Sequence, residues 1–308
     1  MAESRVHQAI DLLKDFTVPP DAAADKIAQL CEEQVRSSSP RRHSISHGDT
    51  PGLEAFLWLF WSLLLQAVEQ TDSDALHTRV LDVMAQLKTH ESPRDWCVWG
   101  SAHQIWQDLV LFGPNVRESL NGPSVHAAGK HISSSEWTPG DIDMLTAAEL
   151  PPDADERAQA FHATGRKWVN LQTFLARAWA AGVYNGAVHA LWAMRDALED
   201  EETEDTHPRM SRALAVEATA AWVTHAAKLM FRCKEIFGPN SRADWEANQG
   251  APGRGGRKWD GVDGYDPARW KLWKDEFAMF LREERSHQHV RRAVESALIA
   301  MDNAEREM

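Results

Sequence analysis

Apolar side chains recur at every third or fourth position along most of the chain, and no stretch alternates apolar and polar residues as a half-buried strand does. Proline and glycine interrupt this pattern, for example at Pro19-Pro20 and at Gly182, where helices are expected to end or restart. The pattern predicts an all-α fold, an irregular bundle of about ten helices. The predicted helices cover residues 3–16, 21–36, 53–70, 74–90, 101–112, 153–182, 184–200, 208–237, 267–284 and 287–306.

Two long segments depart from the helical pattern. Residues 121–152 and 238–266 are rich in glycine, serine and proline, and we predict that both are long loops. The second contains GAPGRGGRKWDGVDG, whose glycines are too dense for a packed helix or strand. The sequence contains no internal repeat. We therefore predict a single all-α domain over residues 1–308, with a helical arm and a polar loop over 1–50.

Charge and composition exclude several classes of protein. A formal net charge of −13, with only short basic runs, is not that of a nucleic-acid binder. The most apolar run, over 55–65, has about half the length of a membrane span and predicts a buried helix. Cys31, Cys97 and Cys233 form no paired motif, which is typical of a reducing compartment. We therefore expect a cytoplasmic protein without nucleic-acid or membrane partners.

Tryptophan is unusually frequent, with 14 Trp against 2 Tyr and 10 Phe. An indole ring buries a large apolar area, and its N–H group needs a hydrogen-bond partner, so tryptophan often borders cavities and interfaces. The excess therefore indicates either an aromatic core or the wall of a pocket.

Polar and aromatic side chains line up on three of the predicted helices. The helices over 153–182 and 184–200 are joined by a short turn at Gly182, so we expect them to pack antiparallel. Their aligned residues would then meet those of the 208–237 helix in one buried patch, which is either a structural network or the wall of a pocket. The aligned residues are Asn170, Phe174, Arg177, His189, Trp192, Trp222 and His225.

An acidic stretch, DALEDEETED, occupies residues 196–205. Carboxylates such as Asp196, Glu199 and Asp200 could hold magnesium if a second set of oxygen ligands faced them, but the sequence contains no matching second motif. We therefore expect a solvated acidic turn, with a magnesium site as the alternative. No signature of a zinc protease, an α/β-hydrolase, a P-loop or a dinucleotide site occurs, so no metal or cofactor is predicted.

Several segments together resemble a fungal family catalogued as domain of unknown function 3632. They are LWLFWSLLLQAVEQ (57–70), WVNLQTFLARAWAAGV (168–183), HALWAMRDALE (189–199), AAW (220–222) and DPARWKLWKDEF (266–277). The resemblance implies a helical, cytosolic protein of filamentous fungi. It supplies no catalytic residue, because the family has no established activity. Some such proteins are encoded among secondary-metabolite genes, so the resemblance also suggests a role in such a pathway.

The first functional hypothesis is a small-molecule protein of fungal secondary metabolism, a cofactor-independent cyclase or pericyclase. A pocket walled by tryptophan could fold an apolar substrate into a reactive conformer, and a few hydrogen bonds could then stabilise the transition state. The predicted catalytic residues are Asn170, Arg177 and His189, and the predicted substrate-binding residues are Trp106, Phe174, Trp192, Trp222 and His225.

Two alternatives remain open from the sequence. In the first, the protein is a non-catalytic interaction module whose tryptophans anchor a protein partner. In the second, it is a magnesium-dependent enzyme similar to isoprenoid cyclases that uses the acidic stretch over 196–205.

Overall fold

The prediction of an all-α fold is confirmed. The computed structural model describes residues 2–38, 48–91, 96–200, 211–282 and 287–307. These ranges contain eleven α-helices and two short β-hairpins, in two compact units, Met1–Asn121 and Gly122–Met308. None of the described helices combines the length and the apolar content that a membrane span needs. The expected single domain over 1–308 stays a prediction.

The first unit is built around the helix over 53–69 (α3 below), which is almost entirely apolar. Its core contains Phe60, Trp61, Trp106 and Phe112 in edge-to-face and tilted ring contacts. The Trp61 Nε1–H group donates to the Val110 carbonyl at 2.7 Å, so the buried indole has its partner. The elements are α1 (Ala2–Lys14), α2 (Pro20–Ser38), α3 (Leu53–Glu69), α4 (Asp74–Thr89), β1 (Trp96–Val98), β2 (Ser101–His103) and α5 (Phe112–Ser119).

The second unit is organised by one central helix, α9, against which α7, α8 and α11 pack. A π-helical turn, Arg195–Glu199, extends α8, and the glycine-rich segment over 238–266 lies between α9 and α10. The elements are β3 (Val125–Ala127), β4 (Lys130–Ile132), α6 (Pro139–Thr146), α7 (Glu156–Ala180), α8 (Ala187–Met194), α9 (Arg212–Arg232), α10 (Pro267–Phe280) and α11 (Gln288–Arg306).

Two segments differ from the sequence prediction. Residues 121–152, which were predicted to be a long loop, also contain β3, β4, a 3-10 turn and α6. The sequence did not reveal the two strands, because three residues are too few to show an alternation of apolar and polar side chains. The helix predicted over 101–112 is wrong: Ser101–His103 is β2, and α5 begins only at Phe112. Leu109 and Leu111 have positive φ angles there, so apolar spacing misled the prediction in a stretch whose backbone is not helical.

Gly165 lets α6 cross α7 at close range, and its replacement by alanine is expected to destabilise the second unit. A Cβ atom at this position would overlap the Leu145 carbonyl oxygen. Alanine normally favours a helix over glycine by about 1 kcal/mol, but the overlap must push the helices apart, so we expect a net loss of about 1–3 kcal/mol. Urea unfolding of Gly165→Ala measures this. Gly140→Ala, on α6, is the control and should not destabilise, because a Cβ atom there would make only an ordinary van der Waals contact with Thr138.

An ion pair between the buried Asp141 and the partly exposed Arg157 joins α6 to α7, and it is expected to contribute to the acid sensitivity of the protein. The Arg157 guanidinium donates to both oxygens of Asp141 at 2.8 Å, which lowers the pKa of Asp141 to about 2, with help from hydrogen bonds donated by Thr138. The folded state therefore binds fewer protons here than the unfolded state. The resulting stability is present above about pH 4 and is lost as the pH falls toward the folded pKa.

Arg157→Gln should therefore lose less stability than the wild type between about pH 5 and pH 3, by about 1 kcal/mol after allowance for the partial exposure of Arg157. Urea unfolding across this pH range measures the difference. Arg242→Gln, which removes an exposed pair with Asp244, is the control and should reproduce the wild-type profile. Equal acid sensitivity in Arg157→Gln and the wild type would contradict the assignment.

Candidate functional site

The single buried patch predicted from the aligned residues of α7, α8 and α9 is divided, because these helices do not pack as expected. Both α7 and α8 pack on α9, in place of the antiparallel α7–α8 pair expected from the short turn at Gly182. Phe174 and Trp222 are fully buried. The Trp222 indole donates to the Gln172 side chain and lies against Gly186, where a Cβ atom would have no room. These two aromatic residues therefore belong to the core of the second unit.

The other predicted site residues have different environments. His189 is buried on α8, where its ring contacts those of Tyr184 and Trp192. Asn170 and Arg177 are half-buried on α7, and His225 is exposed on α9. Trp106 belongs to the core of the first unit, against Phe60 and Trp61. The structure thus brings His189 and Trp192 together, and it places His225 on the surface.

A buried ion pair outside the predicted patch organises the second unit. Arg269, on α10, donates from Nε and Nη2 to the two oxygens of Glu199 at 2.7 and 2.9 Å, and both side chains have an exposed fraction of 0%. The Trp273 Nε1–H group donates to the same carboxylate at 2.7 Å. We call Glu199, Arg269 and Trp273 the clamp. A buried carboxylate is stable only with such a complete set of donors.

The clamp binds the glycine-rich segment through backbone groups. Arg269 Nη1 donates to the carbonyl oxygens of Gly253 and Gly264, each at 2.9 Å. In return, the Gly256 N–H group donates to Glu199 Oε2 at 2.9 Å, and the Lys258 N–H group donates to the Glu199 carbonyl at 3.0 Å. Glu199 and Arg269 therefore provide hydrogen-bond partners for backbone N–H and carbonyl groups of a segment that has almost no secondary structure of its own.

Close approach of backbone to backbone explains two of the glycines. A Cβ atom at Gly253 would overlap the Asp263 carbonyl oxygen, and one at Gly264 would overlap the Glu235 carbonyl oxygen. Further backbone bonds run from Gly253 to Phe237 and from Phe237 to Asp263, both at 2.7 Å. Gly253 and Gly264 therefore allow backbone strands of the segment to approach closely and to hydrogen-bond with one another, which is more than a turn requires.

Two aromatic residues tie this segment to the helices. Trp192, a predicted substrate-binding residue, donates from Nε1 to the Pro252 carbonyl at 2.7 Å. The Tyr265 hydroxyl donates to the Ala187 carbonyl at 2.7 Å, and burial raises the pKa of Tyr265 well above its ordinary value. Trp192 therefore holds the segment in place through its indole nitrogen.

The glycine-rich segment over 238–266 folds around a cleft of about 530 Å³ that is open to solvent. Trp259 forms part of its wall, with the Arg269 guanidinium over its ring at 5.7 Å and its own Nε1–H group bonded to the Val262 carbonyl. The side chains of Arg254 and Asp260 are exposed at the cleft. We call this feature the loop cleft; its lining residues are Pro239, Asn240, Arg254, Gly255, Trp259, Asp260, Gly261 and Asp263.

A second, smaller cavity of about 90 Å³ lies between the end of α9 and the start of α10. Cys233, Tyr265, Trp270 and Trp273 are among its lining residues. Burial raises the pKa of the Cys233 thiol, which disfavours the nucleophilic thiolate. The cavity is too small for an organic ligand of ordinary size.

Within the described part of the acidic stretch, 196–200, Glu199 departs from the predicted solvated turn, whereas Asp196 and Asp200 are exposed. Glu199 is buried in the clamp, where protein donors engage both carboxylate oxygens, and Asp200 accepts the Arg257 N–H group at 3.1 Å. Asp196 is exposed and pairs with Arg195. Residues 201–205 lie outside the described residues. In the part of the chain that the structure describes, no group of three or more potential ligands could hold a metal ion.

Comparison with known proteins identifies the family. The sequence profile of the family described as "Protein of unknown function (DUF3632)" matches residues 61–277, more than half of the 308-residue chain. The chain belongs to this family. No curated protein and no solved structure matches it significantly. The DUF3632 region spans α9, the clamp and the whole loop cleft.

Sequence reasoning missed the clamp and the cleft. Arg269 and Trp273 lie in the DPARWKLW stretch, where the charges look like those of an ordinary amphipathic helix. The available signal was Trp259, the one tryptophan in the run GAPGRGGRKWDGVDG, because a large aromatic side chain is out of place in a solvated loop.

Proposed function

We propose that this DUF3632 protein binds a small organic molecule in the loop cleft. The observation that carries the proposal is the clamp, which holds a glycine-rich segment in one conformation around a cleft. A preformed cleft lowers the entropic cost of binding, and about 530 Å³ lies within the range of ordinary ligand sites.

The lining of the cleft supports a polar ligand with a planar part. Arg254 offers a guanidinium for an acidic group, Asp260 offers a carboxylate for a donor or a cation, and Trp259 offers indole surface. This differs from the apolar substrate expected from the tryptophan content. We therefore propose a ligand that carries an acidic group and a hydrogen-bond donor on a flat framework.

The more specific function stays a prediction. Cofactor-independent cyclisation in fungal secondary metabolism, in the cytoplasm and with Asn170, Arg177 and His189 as catalytic residues, would require these side chains to reach the bound ligand. The cleft as described is lined by the segment over 238–266 alone. Ligand binding is therefore the part of this hypothesis that the geometry supports best.

The protein-interaction alternative has its best support in the first unit. Trp99 is exposed by 59% on the turn between β1 and β2, and its Nε1–H group donates to Glu54 on α3, one turn before the exposed Trp58. Exposed tryptophans of this kind are common anchors in protein interfaces. This alternative applies to a different surface, so it does not compete for the loop cleft.

Affinity selection with mass spectrometry against a library of metabolites tests the proposal. The purified protein should retain a specific compound that Arg254→Ala binds at least about tenfold more weakly, because a charged contact is lost. Arg257→Ala, exposed in the same segment but outside the cleft, is the matched control and should retain the compound fully.

Trp259→Phe and Trp245→Phe form a second matched pair, since Trp245 belongs to the same segment but not to the cleft. Only the Trp259 change should weaken retention. Retention that is equal in all four variants would show that the compound binds elsewhere, and a library that yields no retained compound would count against a small-molecule site.

A further inference from the structure

The β3–β4 hairpin presents two histidines directly opposite each other. His126 pairs with His131 in the antiparallel register, and both side chains are exposed. Their ring centroids are 5.2 Å apart with an interplanar angle of 64°. Because the flanking pair, Ala127 with Lys130, closes a two-residue turn, the next pair outward is the non-hydrogen-bonded one, in which side chains stand closest.

The rest of the hairpin is fixed in place. Val125 and Ile132, the neighbouring pair in the register, are buried, and β3 packs on α7. The turn residue Ala128 donates its N–H group to Glu156 Oε1, at the start of α7, at 2.8 Å. The alternation of the strands therefore turns Val125 and Ile132 inward, so that the two imidazoles lie on the outer face of an anchored hairpin.

We propose that His126 and His131 together chelate one divalent transition-metal ion, with zinc as the reference ion. Two imidazoles that share a tetrahedral zinc ion at Zn–N distances of about 2.0–2.1 Å place their ring centres about 5 Å apart. The observed separation needs only side-chain rotation to reach this arrangement. Imidazole is a preferred ligand of zinc, copper and nickel, whereas magnesium and calcium prefer oxygen.

The site has two protein ligands, since the described residues contain no group of three. Water or a small anion completes the coordination, and an ion held in this way keeps open positions, unlike the closed sites of structural zinc. Binding is consequently much weaker than at a structural zinc site. The inference does not depend on the loop cleft, which is formed by a different segment.

Calorimetric titration of the untagged, chelator-treated full-length protein with zinc chloride tests the proposal. We expect a one-to-one binding event that both His126→Gln and His131→Gln weaken at least about tenfold, because each removes one of two chelating ligands. His7→Gln, an exposed histidine on α1 bonded to the Glu3 carbonyl, is the matched control and should bind as the wild type does.

Circular dichroism without metal should show that the hairpin variants are folded, since both side chains lie at the surface. Loss of the event in both variants, with His7→Gln unaffected, supports the histidine pair. Wild-type titration curves in either hairpin variant, or no zinc binding by the wild type, would overturn it.

Discussion

Replacement of Arg269 by methionine is expected to destabilise the protein by about 3–5 kcal/mol, because the Glu199 carboxylate is left buried without its counter-charge. The same change removes the donor to the Gly253 and Gly264 carbonyls, so the glycine-rich segment loses two of its hydrogen bonds to α10. Methionine retains much of the side-chain volume, which separates the loss of the ion pair from the creation of a cavity. Urea unfolding followed by circular dichroism measures the effect.

Asp196→Asn is the matched control, since this carboxylate belongs to the same acidic stretch but is exposed. Its effect should stay within about 0.5 kcal/mol. A magnesium site in the stretch would make the stability of the wild type rise with added magnesium chloride, whereas the clamp requires no such dependence. A loss below about 1 kcal/mol for Arg269→Met would contradict the clamp, because an unpaired buried carboxylate costs more than that.

Trp222→Ala is expected to cost about 3–5 kcal/mol, because the substitution removes a fully buried indole from the packed centre of the second unit. The ring lies against Gly186 and contacts Trp179, and Gln172 would lose its hydrogen-bond partner. Differential scanning calorimetry measures the loss as a decrease in Tm. If Trp222 lined a ligand-sized pocket, as the sequence interpretation proposes, its truncation to alanine would reduce the stability of the protein far less.

Trp245→Ala is the control for Trp222→Ala. Trp245 is half-buried in the glycine-rich segment, where its indole N–H group donates to the Gly250 carbonyl and Arg242 stacks on its ring. We expect a loss of about 1 kcal/mol or less, because little apolar surface becomes exposed. Similar Tm values for Trp222→Ala and the wild type would show that Trp222 is not a core residue.

Helices α3, α10 and α11 were predictable because each one buries a long row of apolar side chains at helical spacing. The helix predicted over 53–70 matches α3 at Leu53–Glu69. The helices predicted over 267–284 and 287–306 begin within one residue of α10 (Pro267–Phe280) and α11 (Gln288–Arg306). In each case several apolar residues repeat at helical spacing and a proline or a polar cap marks the boundary. Local pattern and tertiary burial agree in these helices, so the sequence alone was sufficient.

The clamp was not predictable because its partners are distant in the chain. Glu199 and Arg269 lie 70 residues apart, and each follows a local pattern that has an ordinary explanation, an acidic turn or an exposed helix face. Only the fold shows that both charges are buried. Both partners nevertheless fall within segments that carry the family resemblance, 189–199 and 266–277, although that resemblance does not say which residues meet.

The two hairpins show a different limit of sequence analysis. Each has strands of three residues joined by a turn with two left-handed positions, Trp99-Gly100 in one and Ala128-Gly129 in the other. Such strands give no measurable period, and only the second residue of each turn is a glycine. The pairing of His126 with His131 was therefore invisible in the sequence.

Hydrogen exchange with mass spectrometry on the free protein tests the central claim, that the clamp holds the segment over 238–266 in one folded conformation. The N–H groups of Gly256 and Lys258 are bonded to Glu199, and that of Tyr265 is bonded to the Glu235 carbonyl. We expect these amides to exchange slowly in the wild type and to lose protection in Arg269→Met while α7 and α9 stay protected. Exchange of the whole segment at the rate of an unfolded peptide in the wild type, with protected helices on either side, would contradict the preformed cleft.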